Sequence, residues 1–67
     1  MSAKEMFEKL YFDYIFDKDN NRIIYKNGRY KIIFDFDFRD IEIKIKNSPI
    51  KLELLQAINK QVEELGW

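Results

Sequence analysis

The segment Arg29–Lys46, RYKIIFDFDFRDIEIKIK, decides the fold because apolar and polar residues alternate along almost all of it. Side chains two residues apart on a β-strand point to the same face of a sheet. The segment therefore predicts two paired strands with one apolar face that another layer must cover. The apolar positions on that face are Tyr30, Ile32, Phe34, Phe36, Phe38, Ile41, Ile43 and Ile45.

The length of the chain, 67 residues, predicts a single domain spanning residues 1–67. A chain of this size buries only about 60% of the surface that it exposes when unfolded, so a small core must be rich in large side chains. Hydrophobic residues make up 46% of the sequence and aromatic residues 16%, which meets that requirement.

The charge and cysteine content exclude several classes of protein. The chain has no cysteine and no histidine, so disulfides, thiolate zinc sites and histidine catalysis are not expected. Its start lacks the apolar run of a signal peptide, and no stretch is long enough for a membrane span. These features predict a cytoplasmic protein with no membrane contact.

Two helices are expected at the ends of the chain. Ser2 and Glu5 have the spacing of a capping box, which begins a short helix. Ser48 and Pro49 are expected to cap and start the last helix, and Gly66 to end it. The apolar residues that share one side of this last helix are Leu54, Leu55, Ile58, Val62 and Leu65.

Between the helices, four alternating segments predict four strands. Polar Lys18–Asn21 forms the first turn, Asn27–Gly28 is typical of a two-residue type I′ turn, and Arg39–Asp40 forms the third turn. The expected fold is α+β and two-layered: a four-stranded antiparallel meander sheet with the N- and C-terminal helices packed on one face, in the order αββββα.

The other face of this sheet is expected to remain open and to contain a patch of isoleucines. The predicted registers place Ile15 opposite Ile24, with Ile33 diagonal to Ile24. One interpretation is a protein–protein contact, either with another protein or in a homodimer. The other is that these isoleucines simply favour strand formation.

Asp17, Asp35 and Asp37 are candidate charged residues beside that patch. The predicted registers place Asp35 opposite Lys44 and Asp37 opposite Glu42. These carboxylates are either an acidic strip that binds lysine or arginine of a partner, or an ordinary solvated face. The outward basic residues are interleaved with acids and the net charge is zero, which argues against nucleic-acid binding.

No catalytic, metal or cofactor site is predicted. The two serines lie at expected helix caps. Asp17–Gly28 begins like a calcium-binding loop but has Arg22 in place of the required glycine and Gly28 in place of the bidentate glutamate. No glycine-rich phosphate loop is present. The expected protein is therefore not an enzyme.

The two ends of the chain resemble a family of small proteins encoded by phages and prophages of Gram-positive bacteria. The similar segments are AKEMFEKLYF, residues 3–12, and LELLQAINKQVEELGW, residues 52–67. That family has a Leu-Gly-Tyr step after the first helix where this chain has Leu10, Tyr11 and Phe12.

The resemblance implies a protein that binds and inhibits a host protein, such as a defence component of the CRISPR effector class. On this hypothesis Ile15, Ile24 and Ile33 form the apolar centre of the contact, and Asp17, Asp35 and Asp37 flank it. A homodimeric structural or regulatory module is the main alternative, and a nucleic-acid-binding module is the third.

Overall fold

The computed structural model describes all 67 residues and has the expected element order. Six elements follow one another along the chain: α1 (Ala3–Lys9), β1 (Asp13–Asp17), β2 (Arg22–Lys26), β3 (Tyr30–Asp35), β4 (Asp40–Ile45) and α2 (Leu52–Leu65). The strands form one antiparallel sheet in the order β1-β2-β3-β4. The predicted α+β fold, a meander sheet with a helix at each end, is confirmed.

The core lies between the sheet and the two helices. Its centre is the Phe7 ring of α1, which stacks on Tyr25 of β2 with the ring centroids 3.8 Å apart. Both rings are fully buried. The remaining buried members of this core are Phe12, Ile23, Ile32, Phe34, Leu54, Ala57 and Ile58. Strand and helix side chains therefore meet on one face of the sheet only, as the two-layer arrangement requires.

One polar pair lies inside this core, and the sequence pattern does not reveal it. Gln61 of α2 is buried, and its Oε1 accepts a 2.7 Å hydrogen bond from the Tyr25 hydroxyl. Burial raises the pKa of Tyr25 far above its ordinary value. The bond satisfies two polar groups that would otherwise destabilise the core, and it sets the position of α2 over β2.

Both helices end in the same backbone motif. After α1, the amide of Tyr11 bonds to the Glu8 carbonyl and that of Phe12 to the Phe7 carbonyl. After α2, Gly66 and Trp67 make the equivalent bonds. The motif needs a residue with positive φ, which is Tyr11 (66°) in one case and Gly66 (74°) in the other.

The two helix starts differ in how well the sequence predicts them. The capping box is present at α1: the Ser2 hydroxyl accepts from the Glu5 amide, and the Glu5 carboxylate accepts from the Ser2 amide. The predicted start of α2 at Ser48 and Pro49 is wrong. The Ser48 hydroxyl and the Pro49 carbonyl instead accept hydrogen bonds from the side chains of Arg29 and Tyr30, and α2 begins at Leu52.

Two of the three predicted registers are wrong, and turn chemistry explains both errors. The β1–β2 register is as expected, with Ile15 opposite Ile24. The β2–β3 register differs by two residues, because Asn27 does not enter a type I′ turn. Its side-chain oxygen accepts hydrogen bonds from the amides of Arg29 and Tyr30, which makes a longer connection.

The β3–β4 register differs by four residues from the predicted one. Asp35 ends β3, and its carboxylate accepts hydrogen bonds from the amides of Asp37 and Phe38 at 3.0 and 3.2 Å. Asp37 and Phe38 therefore lie in a turn and not in a strand. Asp35 lies opposite Asp40 and not Lys44, and the predicted pairing of Asp37 with Glu42 does not exist.

Neither α1 nor α2 combines the length and the apolar composition that a membrane-spanning helix requires.

Candidate binding surface

The sheet face that lacks helices is organised as three rows of residues across the four strands. Each row takes one residue from each strand, in the order β1 to β4. The first, here called the cationic row, is Asp13, Lys26, Lys31 and Lys44. The isoleucine row is Ile15, Ile24, Ile33 and Glu42. The acidic row is Asp17, Arg22, Asp35 and Asp40.

The isoleucine row is not the open apolar patch that the sequence predicts. Ile33 lies directly opposite Ile24 and not diagonal to it. Ile24 exposes 7% of its surface and Ile33 only 3%, whereas Ile15 at the sheet edge exposes 37%. Long basic side chains occupy the neighbouring outer positions on β2 and β3, and their aliphatic stems can cover the two central isoleucines. The row is mostly a closed minor core.

The acidic side chains named as candidates take part in the turns at one end of the sheet. Asp17 accepts hydrogen bonds from Asn20 and forms a 2.9 Å ion pair with Arg22. Asp35 accepts the two turn amides described above. These two carboxylates therefore contribute to the turns that join the strands.

Asp37 takes part in a contact between the first and third turns. Its carboxylate accepts a 3.0 Å hydrogen bond from the Asn21 side chain. The Phe36 amide donates to the Asn21 carbonyl at 3.1 Å. The structure thus brings Asp17, Asp35 and Asp37 to the same end of the sheet, and each has a partner within the chain.

The pKa of Asp17 reflects these partners. Hydrogen bonds from the Asn20 side chain and from Arg22 stabilise the charged carboxylate and hold its pKa below the ordinary value. Asp17 is therefore ionised over the whole physiological range. A group that accepts from two neighbours in this way offers fewer free lone pairs to a partner protein.

The cationic row occupies the opposite end of the sheet and contains three adjacent lysines. Lys31 lies opposite Lys26 on one side and opposite Lys44 on the other. Like charges directly opposite each other destabilise a sheet. This arrangement therefore opposes folding and is not explained by the stability of the domain.

A surface cleft of about 280 Å³ lies beside these lysines. It is lined by five cationic side chains and no acidic one; we call it the cationic cleft. Its charged residues are Lys26, Arg29, Lys31, Lys44 and Lys46. The other lining residues are Asn27, Gly28, Tyr30 and Ile45.

Two contacts hold the rim of the cationic cleft in place. The Arg29 guanidinium donates to the Ser48 hydroxyl at 3.1 Å, and the Tyr30 hydroxyl donates to the Pro49 carbonyl at 2.6 Å. They join the β2–β3 connection to the segment that precedes α2. The contacts thus hold two lining residues of the cleft, Arg29 and Tyr30, in place, which favours a preformed site.

Few of the charges in the cationic cleft are neutralised within the chain. Lys44 forms a 3.4 Å ion pair with Glu42 of its own strand. The only other ion pairs in the structure are Arg22–Asp17 and Lys60–Glu63, both outside the cleft. Lys26, Lys31 and Lys46 have no ion-pair partner. Because the net charge of the chain is zero, this cleft is a local concentration of positive charge.

Sequence reasoning missed the cationic cleft because it used the wrong registers. In those registers Lys44 lies opposite Asp35 and Lys31 lies opposite Ile24, so the lysines do not share a row. Recognising Asn27 and Asp35 as turn-capping residues would shift both hairpins and align the lysines.

Comparison with protein-family models, curated proteins and solved structures finds no match for this chain. The resemblance of the two chain ends to phage-encoded proteins therefore stays a prediction.

Proposed function

We propose that this protein is a non-enzymatic binding module that occupies an acidic functional surface of a host protein and so inhibits it. The observation that supports this proposal is the cationic cleft, whose lining contains five basic side chains and no acidic one. Such a cleft favours a partner that presents carboxylates. The proposed contact is therefore centred on Lys26, Lys31 and Arg29 and not on the isoleucine row.

The cost of the cationic row to the fold supports a role in binding. Lys31 stands between two lysines, so replacing it by an acidic residue would relieve two unfavourable pairs. Residues that reduce stability in this way are typical of binding sites, where function and stability compete.

Phage origin and the class of target belong to this proposal through the resemblance of the chain ends. On that basis we propose a protein from a phage or prophage that acts in the cytoplasm of its bacterial host. The proposed target is a defence component, such as a CRISPR effector. Binding alone would inhibit such a target if the cleft covers a surface that the target needs for its own contacts.

Nucleic acid is the second candidate ligand, and the cationic cleft favours it for the same electrostatic reason. Two features favour a protein instead. The acidic row lies on the same face as the cleft and would repel a phosphate backbone that runs along the sheet. The one aromatic ring in the cleft, Tyr30, has its hydroxyl bound to the Pro49 carbonyl.

The test is capture of proteins from a nuclease-treated lysate of a Gram-positive bacterium that has a CRISPR system. We compare the wild type with Lys26→Gln/Lys31→Gln and with the control Lys18→Gln/Lys60→Gln, which removes the same charge outside the cleft. We expect a captured host protein whose recovery falls at least ~10-fold with the cleft variant and is unchanged with the control.

The captured protein must also be inhibited by the wild type at equimolar concentration. Equal recovery with the cleft variant would contradict the proposed surface. A complex that forms only with nucleic acid, and whose affinity falls steeply with salt, would replace the protein target by a nucleic acid.

A further inference from the structure

The sheet has two edges without a neighbouring strand, and the two edge strands differ in which additional strand they can bind. β1 and β4 are the outer strands. An edge strand presents free amide and carbonyl groups that can form hydrogen bonds with another strand. The structure therefore leaves two sites for strand addition, and the sequence of each edge strand determines which partner fits it.

The hydrogen-bonding pattern shows which backbone groups of β4 are free. The Lys46 amide donates to the Arg29 carbonyl of the neighbouring chain segment at 3.0 Å. In an antiparallel pair these bonds alternate along the strand, so residues of the same parity as Lys46 face β3. The amides of Ile41, Ile43 and Ile45 therefore point to the free edge.

The segment Asp40–Lys46, DIEIKIK, is complementary to itself in antiparallel orientation. When Ile43 lies opposite Ile43 of a second copy, Glu42 lies opposite Lys44 of that copy. In the same register Asp40 lies opposite Lys46, and Ile41 lies opposite Ile45. Every charged residue then meets an opposite charge, and the free amides meet free carbonyls.

We propose that the protein forms a two-fold symmetric dimer in which β4 pairs with β4 of a second copy, with Ile43 at the symmetry axis. Shifting this register by one pair in either direction brings Glu42 opposite Glu42, or Lys44 opposite Lys44. Both shifts place like charges at the centre of the interface. The charge pattern thus selects one register of one partner, a second copy of this chain.

Exposed apolar side chains on the helix face of the sheet support the same partner. Ile43 points to that face at the β4 edge and exposes 39% of its surface. Directly opposite residues of paired strands share a face, so the dimer places Ile43 of both copies, with Ile41 and Ile45, in one apolar layer. The register that matches the charges therefore also aligns the isoleucines.

α2 also has two exposed leucines. Leu52 and Leu55 expose 65% and 53% of their surfaces and lie on one side of the helix. Glu64 lies on the other side, where its carboxylate accepts a hydrogen bond from the Ala3 amide at the start of α1. Because α1 packs beside β1, Leu55 lies on the flank of α2 that is turned away from α1.

The β1 edge lacks this self-complementarity. Its sequence Asp13–Asp17, DYIFD, has an acidic residue at each end. Two copies paired along their full length would place Asp13 opposite Asp17 at both ends of the interface, which is unfavourable. Strand addition at β4 therefore stops at the dimer, and the assembly does not extend into a fibre.

The dimer and the cationic cleft share Lys44 and Lys46, but they can be tested separately. Lys26, Arg29 and Lys31 lie outside β4, so the variants that test the cationic cleft leave the β4 charges unchanged. Of the two β4 variants described below, Glu42→Lys leaves the cleft lining unchanged, whereas Lys44→Glu changes one of its residues.

Two charge reversals test the dimer and its register together. The Glu42→Lys variant has lysine at both positions 42 and 44. The Lys44→Glu variant has glutamate at both. Each variant alone turns two favourable pairs of the symmetric interface into two repulsive ones. We expect the dimer dissociation constant, measured by sedimentation equilibrium, to rise roughly tenfold or more for each.

An equimolar mixture of the two variants restores opposite charges at both central positions, so we expect a heterodimer of wild-type affinity. Lys18→Glu, in the β1–β2 turn, is the control and should dimerise like the wild type. Circular dichroism checks that every variant is folded. A wild type that stays monomeric up to millimolar concentration would overturn the proposal, as would single variants that dimerise normally or a mixture that does not associate.

Discussion

The two ends of the open sheet face contain opposite charges and use them in opposite ways. At the acidic end, Asp17, Asp35 and Asp37 each accept hydrogen bonds from groups of the same chain. At the cationic end, Lys26 and Lys31 have no ion-pair partner and lie directly opposite each other on the adjacent strands β2 and β3. Although Asp35 and Asp40 are themselves a like-charged pair, the acidic end contributes to the folding of the turns through these hydrogen bonds. The pairing of lysines at the cationic end opposes folding and leaves their charges available to a ligand.

Side-chain length explains why the two ends differ. An aspartate carboxylate is close enough to its own backbone to accept from amides two and three residues later, as Asp35 does. A lysine ammonium extends far from the backbone and donates only, so it cannot cap a turn in this way. Acidic residues at strand ends are thus used locally, and lysines at the same positions point into solvent.

Among the substitutions that test this difference between the two ends, we expect Asp35→Ala to change stability most. The Asp35→Ala substitution removes both hydrogen bonds that close the β3–β4 turn, and it should lower the free energy of unfolding by about 1–2 kcal/mol. Urea denaturation followed by circular dichroism measures the change. The control is Asp19→Ala, an exposed aspartate in another turn, which should change stability by less than about 0.5 kcal/mol.

If Asp35→Ala lowers the free energy of unfolding no more than Asp19→Ala does, the acidic end is not used for folding. In that case its carboxylates would again be candidates for binding a basic partner.

The next effect has the opposite sign and lies at the cationic end. The Lys31→Glu substitution places an acid between Lys26 and Lys44 and converts two repulsive cross-strand pairs into attractive ones. We expect the free energy of unfolding to rise by about 0.5–1 kcal/mol. Lys18→Glu makes the same charge change outside the row and should give no gain. A destabilised Lys31→Glu protein would contradict the account of this row.

A smaller effect is expected from salt. Raising the ionic strength screens the repulsion between neighbouring lysines. The difference in unfolding free energy between Lys31→Gln and the wild type should therefore shrink by a few tenths of a kcal/mol, about 0.3, between 0.05 and 1 M sodium chloride. Parallel urea titrations at the two salt concentrations measure it. A difference that does not depend on salt would mean that Lys31 acts through packing and not through charge.

The smallest effect concerns the pH dependence of Asp17. Its pKa is lowered in the folded state by hydrogen bonds from Asn20 and Arg22, below an ordinary value near 3.8. Its contribution to stability is therefore complete above that value and is lost as the pH falls through the lowered pKa. The Asp17→Asn variant should be less stable than the wild type at neutral pH, and the difference should disappear in acid.

Thermal unfolding at a series of pH values from about 2 to 7 measures this difference. A constant difference across the whole range would show that the charge of Asp17 has no part in its contribution.

The sequence predicts which face of the sheet a strand side chain points to more reliably than which residue lies opposite it on the next strand. The two register errors are shifts of two and four residues, and an even shift leaves every side chain that remains in a strand on its original face. This is why Ile32 and Phe34 lie in the core as expected, although their cross-strand partners differ from the predicted ones. Side-chain hydrogen bonds of Asn27 and Asp35 caused the shifts, and alternation alone does not encode them.

The binding surface is harder to predict because it depends on which residues lie opposite each other on neighbouring strands, and not only on the face to which each side chain points. Alternation correctly predicts that Ile24 and Ile33 lie on the outer face, but it does not predict that both are buried there. The alignment of Lys26, Lys31 and Lys44 follows only from the correct registers. Leu55 was expected in the core and is half exposed, because α2 lies over β2 and leaves the β4 half of the sheet open.

The most direct test of the central claim is a nuclear magnetic resonance titration of the labelled protein with a short polyglutamate peptide. The account predicts amide shift changes at residues 26–31 and 44–46, loss of those changes in Lys26→Gln/Lys31→Gln, and none at residues 17–22 or 35–40. Shift changes concentrated at the acidic end, or changes of equal size in the cleft variant, would contradict it.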